Sequence, residues 1–207
     1  MSDVSSLDEA LKSLEKDLFG GGGGIAAQSG IPFAILRYSP AEEYSARRQL
    51  RLFAHAAEQQ NRKVRFISLS KLVWNAVKES DGECESLFET ELQDGFDSAQ
   101  LKEVTNILDG KSGESQPLAL SAQIISRAAS FQPKPDLIFL VRTGGLAPNI
   151  YRSSTLLHEL QMGGLSIPTI LCYPGSAEVG TDLRFFDLGG GEGLGAYNYR
   201  VKIYGTN

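Results

Sequence analysis

Cysteine and histidine are scarce: the 207-residue chain has two of each. Cys84 and Cys172 are too few and too far apart to make a disulfide framework, and they suit a reducing cytoplasm. His55 and His158 fall on different predicted helices, and His158-Glu159 lacks the second histidine of H-E-x-x-H. No metal site is therefore expected. Long apolar runs are also missing; the longest are about six residues, far short of the ~20 that cross a bilayer as a helix. The opening segment, MSDVSSLDEALKSLEKDLFG, is polar and acidic, unlike a signal peptide, so a cytoplasmic location with no membrane partner is the expectation. Nor is there an excess of positive charge. Twenty Lys+Arg stand against 25 Asp+Glu, a formal net charge of −5. That balance argues against wholesale coating of nucleic acid or anionic lipid, though it leaves room for a local basic face.

What is present is an ordinary globular composition, 42% hydrophobic and 22% charged. Leu7, Ala10, Leu11, Leu14 and Leu18 recur at helical spacing, so residues 1–19 read as an amphipathic helix. Five glycines, Gly20 to Gly24, stop it, and 20–30 reads as a flexible linker. The helix is therefore expected to dock loosely, or on another protein. The remainder, 31–207, reads as one α/β domain. Five apolar runs predict strands: Ile31 to Tyr38, Val64 to Leu69, Asp136 to Val141, Pro168 to Tyr173 and Tyr199 to Tyr204. Helical patterns separate them. Ser39-Pro40-Ala41-Glu42 has the residues of a capped helix start, and Leu50, Phe53, Ala54 and Ala57 follow at helical spacing, with Arg47, Arg48 and Arg51 towards the other side. Leu72, Ala76 and Val77 mark another helix. From about 80 to 132 the texture changes to a helical insertion, patterned on Leu101, Val104 and Leu108 and then on Leu118, Ala122, Ile125 and Ala129. Its first part, Glu79 to Asp97, has eight acidic residues and no basic one, with Leu87, Phe88 and Leu92 as an apolar side. Continuous apolar strands alternating with helices predict a single three-layer α/β domain with a mainly parallel sheet of about five strands.

Catalytic motifs are incomplete. Gly110-Lys111-Ser112 resembles the end of a phosphate loop, but Thr105 stands where the leading glycine belongs, and the segment follows a helix instead of a strand. Gly22-Gly-Gly24-Ile-Ala-Ala27 precedes the first strand when a dinucleotide fingerprint should follow it. The tract Gly189 to Gly195 opens onto a strand, and no G-x-S-x-G elbow exists. No catalytic residue, enzyme activity or cofactor is assigned. In open parallel sheets ligands meet the carboxyl ends of strands. Those ends supply Arg37 and Tyr38, then Arg142, then Tyr173, with Arg152 near the start of the following helix. These five are the candidate ligand or partner contacts, as an anion site or as arginines paired internally with acids such as Glu42.

At these residues the sequence resembles a known family. IPFAILRYSP, RTGGLAPNIYRSSTLLHELQ, IPTILCYPGSAEVGTDLRFF and AYNYRVKIYG, in that order, are similar to the landmarks of the BrxB family of BREX bacteriophage-exclusion systems. The matching positions are Phe33, Tyr38 and Pro40; Pro148 and Arg152; Tyr173, Pro174 and Gly175; and Tyr199 and Arg200. Arg37 and Ser39 stand where acidic residues are common in that family, and Ser154 where a histidine is. The resemblance implies a non-catalytic adaptor or scaffold of an antiphage complex. Its implied partners are a PglZ-type phosphatase-like protein, an AAA-type ATPase and a DNA methyltransferase. Two alternatives stand beside it. One is direct nucleic-acid binding through the stretch Arg37 to Lys71, which has eight basic residues against three acidic. The other is a nucleotide-binding remnant at the sheet's carboxyl edge.

Overall fold

The computed structural model describes residues 6–20, 24–25, 30–80, 98–110, 116–133, 135–146, 150–177, 183–185 and 201–205. Most of the acidic segment, the Gly110-Lys111-Ser112 motif beyond Gly110, the tract Gly189 to Gly195, and Tyr199 and Arg200 lie outside the described residues.

The chain runs α1 (Ser6–Phe19), β1 (Phe33–Tyr38), α2 (Glu43–Glu58), β2 (Val64–Ser68), α3 (Leu69–Glu79), α4 (Ser98–Asp109), α5 (Leu120–Ala128), β3 (Leu137–Val141), α6 (Ser153–Met162), β4 (Thr169–Ala177), β5 (Leu183–Phe185) and β6 (Lys202–Tyr204). The sheet order is β2-β3-β4-β1-β6, and β5 pairs with β4 alone. The five strands on the main path are all parallel, and β5 is antiparallel. Four of the five expected strands appear nearly where the apolar runs lie. The fifth is shorter among the described residues, and the β5 hairpin was not expected.

Alternation along the strands splits the core in two. Ala34, Leu36, Tyr38, Leu137, Phe139, Ile170, Cys172 and Tyr204 pack under α1 and α2. Phe33, Ile35, Ile138, Leu140, Leu171 and Tyr173 pack under α3 to α6. This is the expected three-layer α/β arrangement, with helices on both faces of one parallel sheet. The strands from β2 to β4 follow in order, with their helices on one face. The long step from β1 back to β2 puts α2 on the other, as right-handed crossovers require.

Local chemistry sets the boundaries. Ser39 N donates to Glu42 Oε2 at 3.3 Å, and Pro40–Glu42 forms one 3₁₀ turn leading into α2. Ser68 Oγ accepts from Lys71 N, which caps α3 directly after β2. The buried Asp136 carboxylate accepts from Lys63 N at 3.2 Å and Gln132 N at 2.9 Å, fixing the entry of β3 beside β2. In α5 the buried stripe is Leu120, Ile124 and Ala128. The sequence pattern of Leu118, Ala122, Ile125 and Ala129 is one position out of phase. The helix lies between α3 and α6, so two adjacent stripes of it carry apolar residues, and Ile125 is partly buried.

The expectation of a loosely docked first helix is corrected. Leu7 and Leu14 are fully buried, and Ala10, Leu11 and Leu18 join the same cluster as the sheet residues. Phe19 packs against Phe53 of α2 with ring centroids 5.5 Å apart. Asp17 accepts from Tyr204 Oη at 2.6 Å and pairs with Lys202, so the helix is fastened to β6. A glycine tract limits neither helix docking nor burial when the leucine stripe finds the open half of a sheet face.

Candidate functional site

The five residues singled out at the strand ends separate into buried and exposed sets. Arg37 and Tyr173 are direct partners in the β1–β4 register, and both are buried. Arg37 Nε donates to the Gly205 carbonyl at 2.5 Å, so this guanidinium ties β1 to the end of β6. Gly205 has φ +88, and a Cβ there would run into the Arg37 carbonyl, which is why the chain needs glycine at that point. Tyr38 is buried on the opposite face and donates its hydroxyl to Glu43 Oε2 at 2.7 Å. Burial, the nearby Cys172 and the Glu43 bond all push this phenol far above its ordinary value, so it stays a donor. Burial likewise raises the Cys172 thiol well above its usual range.

Arg142 and Arg152 are exposed. Arg152 is the N-cap residue of α6, with φ −78 and ψ 130 and no side-chain cap hydrogen bond. Its guanidinium forms no ion pair with Glu42 or with any other described residue. Arg142 directly follows β3 and has φ +56, an uncommon conformation for a residue with a side chain. The turn that holds it is rigid. Thr143 Oγ1 donates to the Cys172 carbonyl at 2.9 Å. Gly145 sits so close to the start of α3 that a Cβ would lie 2.5 Å from Ser70 Cα.

Two cavities meet at Arg142. One, of about 180 Å³, runs between α2 and the end of the sheet and is lined by Glu43, Arg47, Leu50, Arg51, Phe66, Val141 and Arg142. The other, of about 280 Å³, lies over the carboxyl edge and is lined by Ser70, the Arg142-Thr143-Gly144-Gly145 turn, Pro174 and again Glu43. Of the five sequence candidates, only Arg142 lines this crevice. Arg47 and Arg51 sit on the polar side of α2 that its sequence pattern predicts. Their spacing from Glu43, at i+4 and i+8, was the signal that all three share one helix flank.

The outer face of α2 is the second feature. Tyr44, Arg48, Leu52 and His55 fall on one exposed stripe, with Tyr44 84% and Leu52 61% accessible. Elsewhere the basic stretch has internal tasks. Arg62 lies over the Phe19 ring at 4.3 Å, and Arg65 lies over Phe131 at 4.5 Å and donates to the Arg127 carbonyl. With Arg37 these make three of its eight basic residues that face inward contacts. Among the described residues no helix is long and apolar enough to cross a membrane, and no group of three His, Cys, Asp or Glu could hold a metal ion.

The family model of the BREX protein BrxB matches residues 65–202, more than half of the chain, from the second residue of β2 through β5. The chain belongs to the BrxB family. It is thereby associated with the BREX phage-exclusion systems, as its strand-end landmarks imply. No curated protein and no solved structure matches it. The matched region includes Arg142, Arg152 and Tyr173 and leaves out α1, β1 and α2.

Proposed function

We propose that this BrxB-family protein is a non-catalytic adaptor of a BREX-type antiphage complex, and that it docks a partner through the outer face of α2. The observation that carries the reading is the exposed Tyr44-Arg48-Leu52-His55 stripe on a helix whose inner face is firmly anchored in the core. Tyr and Arg are the residue types that dominate protein–protein hot spots, while a rigid helix presents them without ordering cost. The PglZ-type phosphatase-like protein is the first partner to test, because the family resemblance implies it. An AAA-type ATPase and a DNA methyltransferase of the same system follow.

Direct DNA binding by the same helix is the alternative. The stripe mixes two apolar side chains with one arginine, and three cations of the basic stretch are turned inward, which fits a protein surface better than a phosphate track. The test is co-purification with the PglZ-type protein, together with phage plating, for Tyr44→Ala, Leu52→Ala and the double variant. The adaptor reading expects normal melting temperatures, loss of the complex, and loss of protection. Intact complex formation by the double variant would sink it. Salt-dependent binding of duplex DNA that Arg48→Ala abolishes would favour the alternative.

A further inference from the structure

We propose that the crevice at the carboxyl edge binds a small dianionic ligand carrying a planar ring, with a nucleoside monophosphate as the test case. The site is separate from the α2 stripe and does not rest on the adaptor reading.

Position is the first argument. β1 leads into α2 on one face of the sheet, whereas β3 leads into α6 on the other, with β4 lying between these two strands. Connections that leave in opposite directions open a crevice at the carboxyl ends, where open parallel sheets receive their ligands. Both cavities lie at that edge, and they share Glu43 and Arg142. Each is smaller than a drug-sized site of roughly 300–1,000 Å³, which suits a small ligand.

Charge is the second. Arg47, Arg51 and Arg142 line the inner cavity, and none of the three makes a side-chain hydrogen bond or ion pair with a described residue. Glu43, the one carboxylate among the described lining residues, already accepts the Tyr38 hydroxyl. Among the described lining residues, three formal positive charges against one negative leave +2, the complement of a phosphate or dicarboxylate dianion. Planar guanidinium groups suit either anion, through paired N–H donors.

Rigidity and shape supply the rest. Arg142 is held at φ +56 by a turn fixed at Thr143 and Gly145, so the point from which this side chain leaves the backbone is set before ligand arrives. Phe66 stacks on Phe139 at 5.5 Å between centroids and 18° between planes, yet remains 39% exposed in the lining. With Leu50 and Val141 it gives the inner cavity an apolar wall for a flat ring.

The experiment is calorimetric titration of the full chain with AMP, phthalate, inorganic phosphate and adenosine, checked by thermal shift. The proposal expects saturable binding of AMP or phthalate, about tenfold or more tighter than phosphate or adenosine, because charge and ring contribute together. Whichever of the two dianions binds more tightly identifies the phosphate or the carboxylate source. Arg142→Ala and Arg51→Ala should each weaken that ligand about tenfold with unchanged melting temperatures. Phe66→Leu should erase its advantage over inorganic phosphate while leaving phosphate binding as it was. The proposal fails if no dianion saturates below about 10 mM, or if affinity survives the Arg51→Ala/Arg142→Ala double variant. It also fails if a single-stranded oligonucleotide displaces AMP at lower concentration, since the crevice would then be part of a nucleic-acid track.

Discussion

Tyr204 donates its hydroxyl to Asp17 at 2.6 Å, joining the last described strand to the first helix across 187 positions of sequence. Lys202 shares the same carboxylate oxygen. The Lys202 and Tyr204 hydrogen bonds together hold the Asp17 carboxyl below its ordinary value of 3.8, against a smaller opposing effect of burial. A carboxyl depressed in the folded state stabilises fully above its unfolded value, and that stability is lost as the pH falls through the folded value. Asp17→Asn should therefore lower the unfolding free energy measured in urea at neutral pH, by about 1–2 kcal/mol for a partly exposed charge-assisted pair. The difference from the parent should close as the pH falls below the ordinary carboxylate value and through the lower folded one. A gap that stays constant down to acid conditions would show that the charge contributes nothing.

Leu14 is fully buried in the cluster formed by α1, α2 and the sheet. Leu14→Ala should cost about 2–5 kcal/mol, as for other buried leucines. Removing residues 1–19 uncovers Ala34, Leu36 and Tyr204 together and should abolish cooperative unfolding with no partner present. A truncated protein with a sharp transition near that of the parent would restore the view of α1 as a detachable arm.

Gly145 has no spare room beside α3. A Cβ would meet Ser70 Cα at 2.5 Å, and backbone there cannot swing aside as a flexible side chain can. Gly145→Ala should destabilise by about 1–3 kcal/mol, and it should disturb the neighbouring Arg142 turn. Thr143→Val removes the bond to the Cys172 carbonyl and should cost about 1 kcal/mol. If the crevice binds as argued, both substitutions should weaken ligand more than equally destabilising changes in α5, such as Ile124→Val.

The layers were legible because the central strands β1, β3 and β4 are largely apolar runs, a pattern that a sheet covered on both faces demands. The polar flank of α2 was legible for the same reason, since Leu50, Phe53 and Ala57 define its inner side. Arg37 and Arg142 lie where their apolar runs end, at the carboxyl edge of the sheet, but the runs do not say which of them reaches solvent. Arg37 and Arg142 look alike in sequence. One is drawn inward by the Gly205 carbonyl and the other is turned outward by a positive φ, and both causes depend on residues far away or on backbone geometry. Arg47 and Arg51 become crevice residues only because α2 crosses beside Phe66, a fact fixed by strand order and absent from local spacing.

Arg152 stands at the N-cap of α6, where the helix presents unpaired N–H groups and the positive end of its dipole. Arginine offers them no acceptor and adds a like charge, and no described side chain compensates. Its backbone already has the extended geometry of a cap residue, so an acidic side chain could be received without rearrangement. Arg152→Asp should therefore stabilise the protein by about 0.5–1.5 kcal/mol, combining a cap bond with removal of the opposed charge. Arg152→Ala should recover only the charge part, a few tenths of a kcal/mol. Denaturant midpoints for the two variants check the order. If aspartate proves more stable at this position, complex formation and phage protection should be measured on the same proteins. Loss of protection by a stabilised Arg152→Asp variant would assign the residue to a partner surface. Full protection by that variant would leave Arg152 with no role in docking.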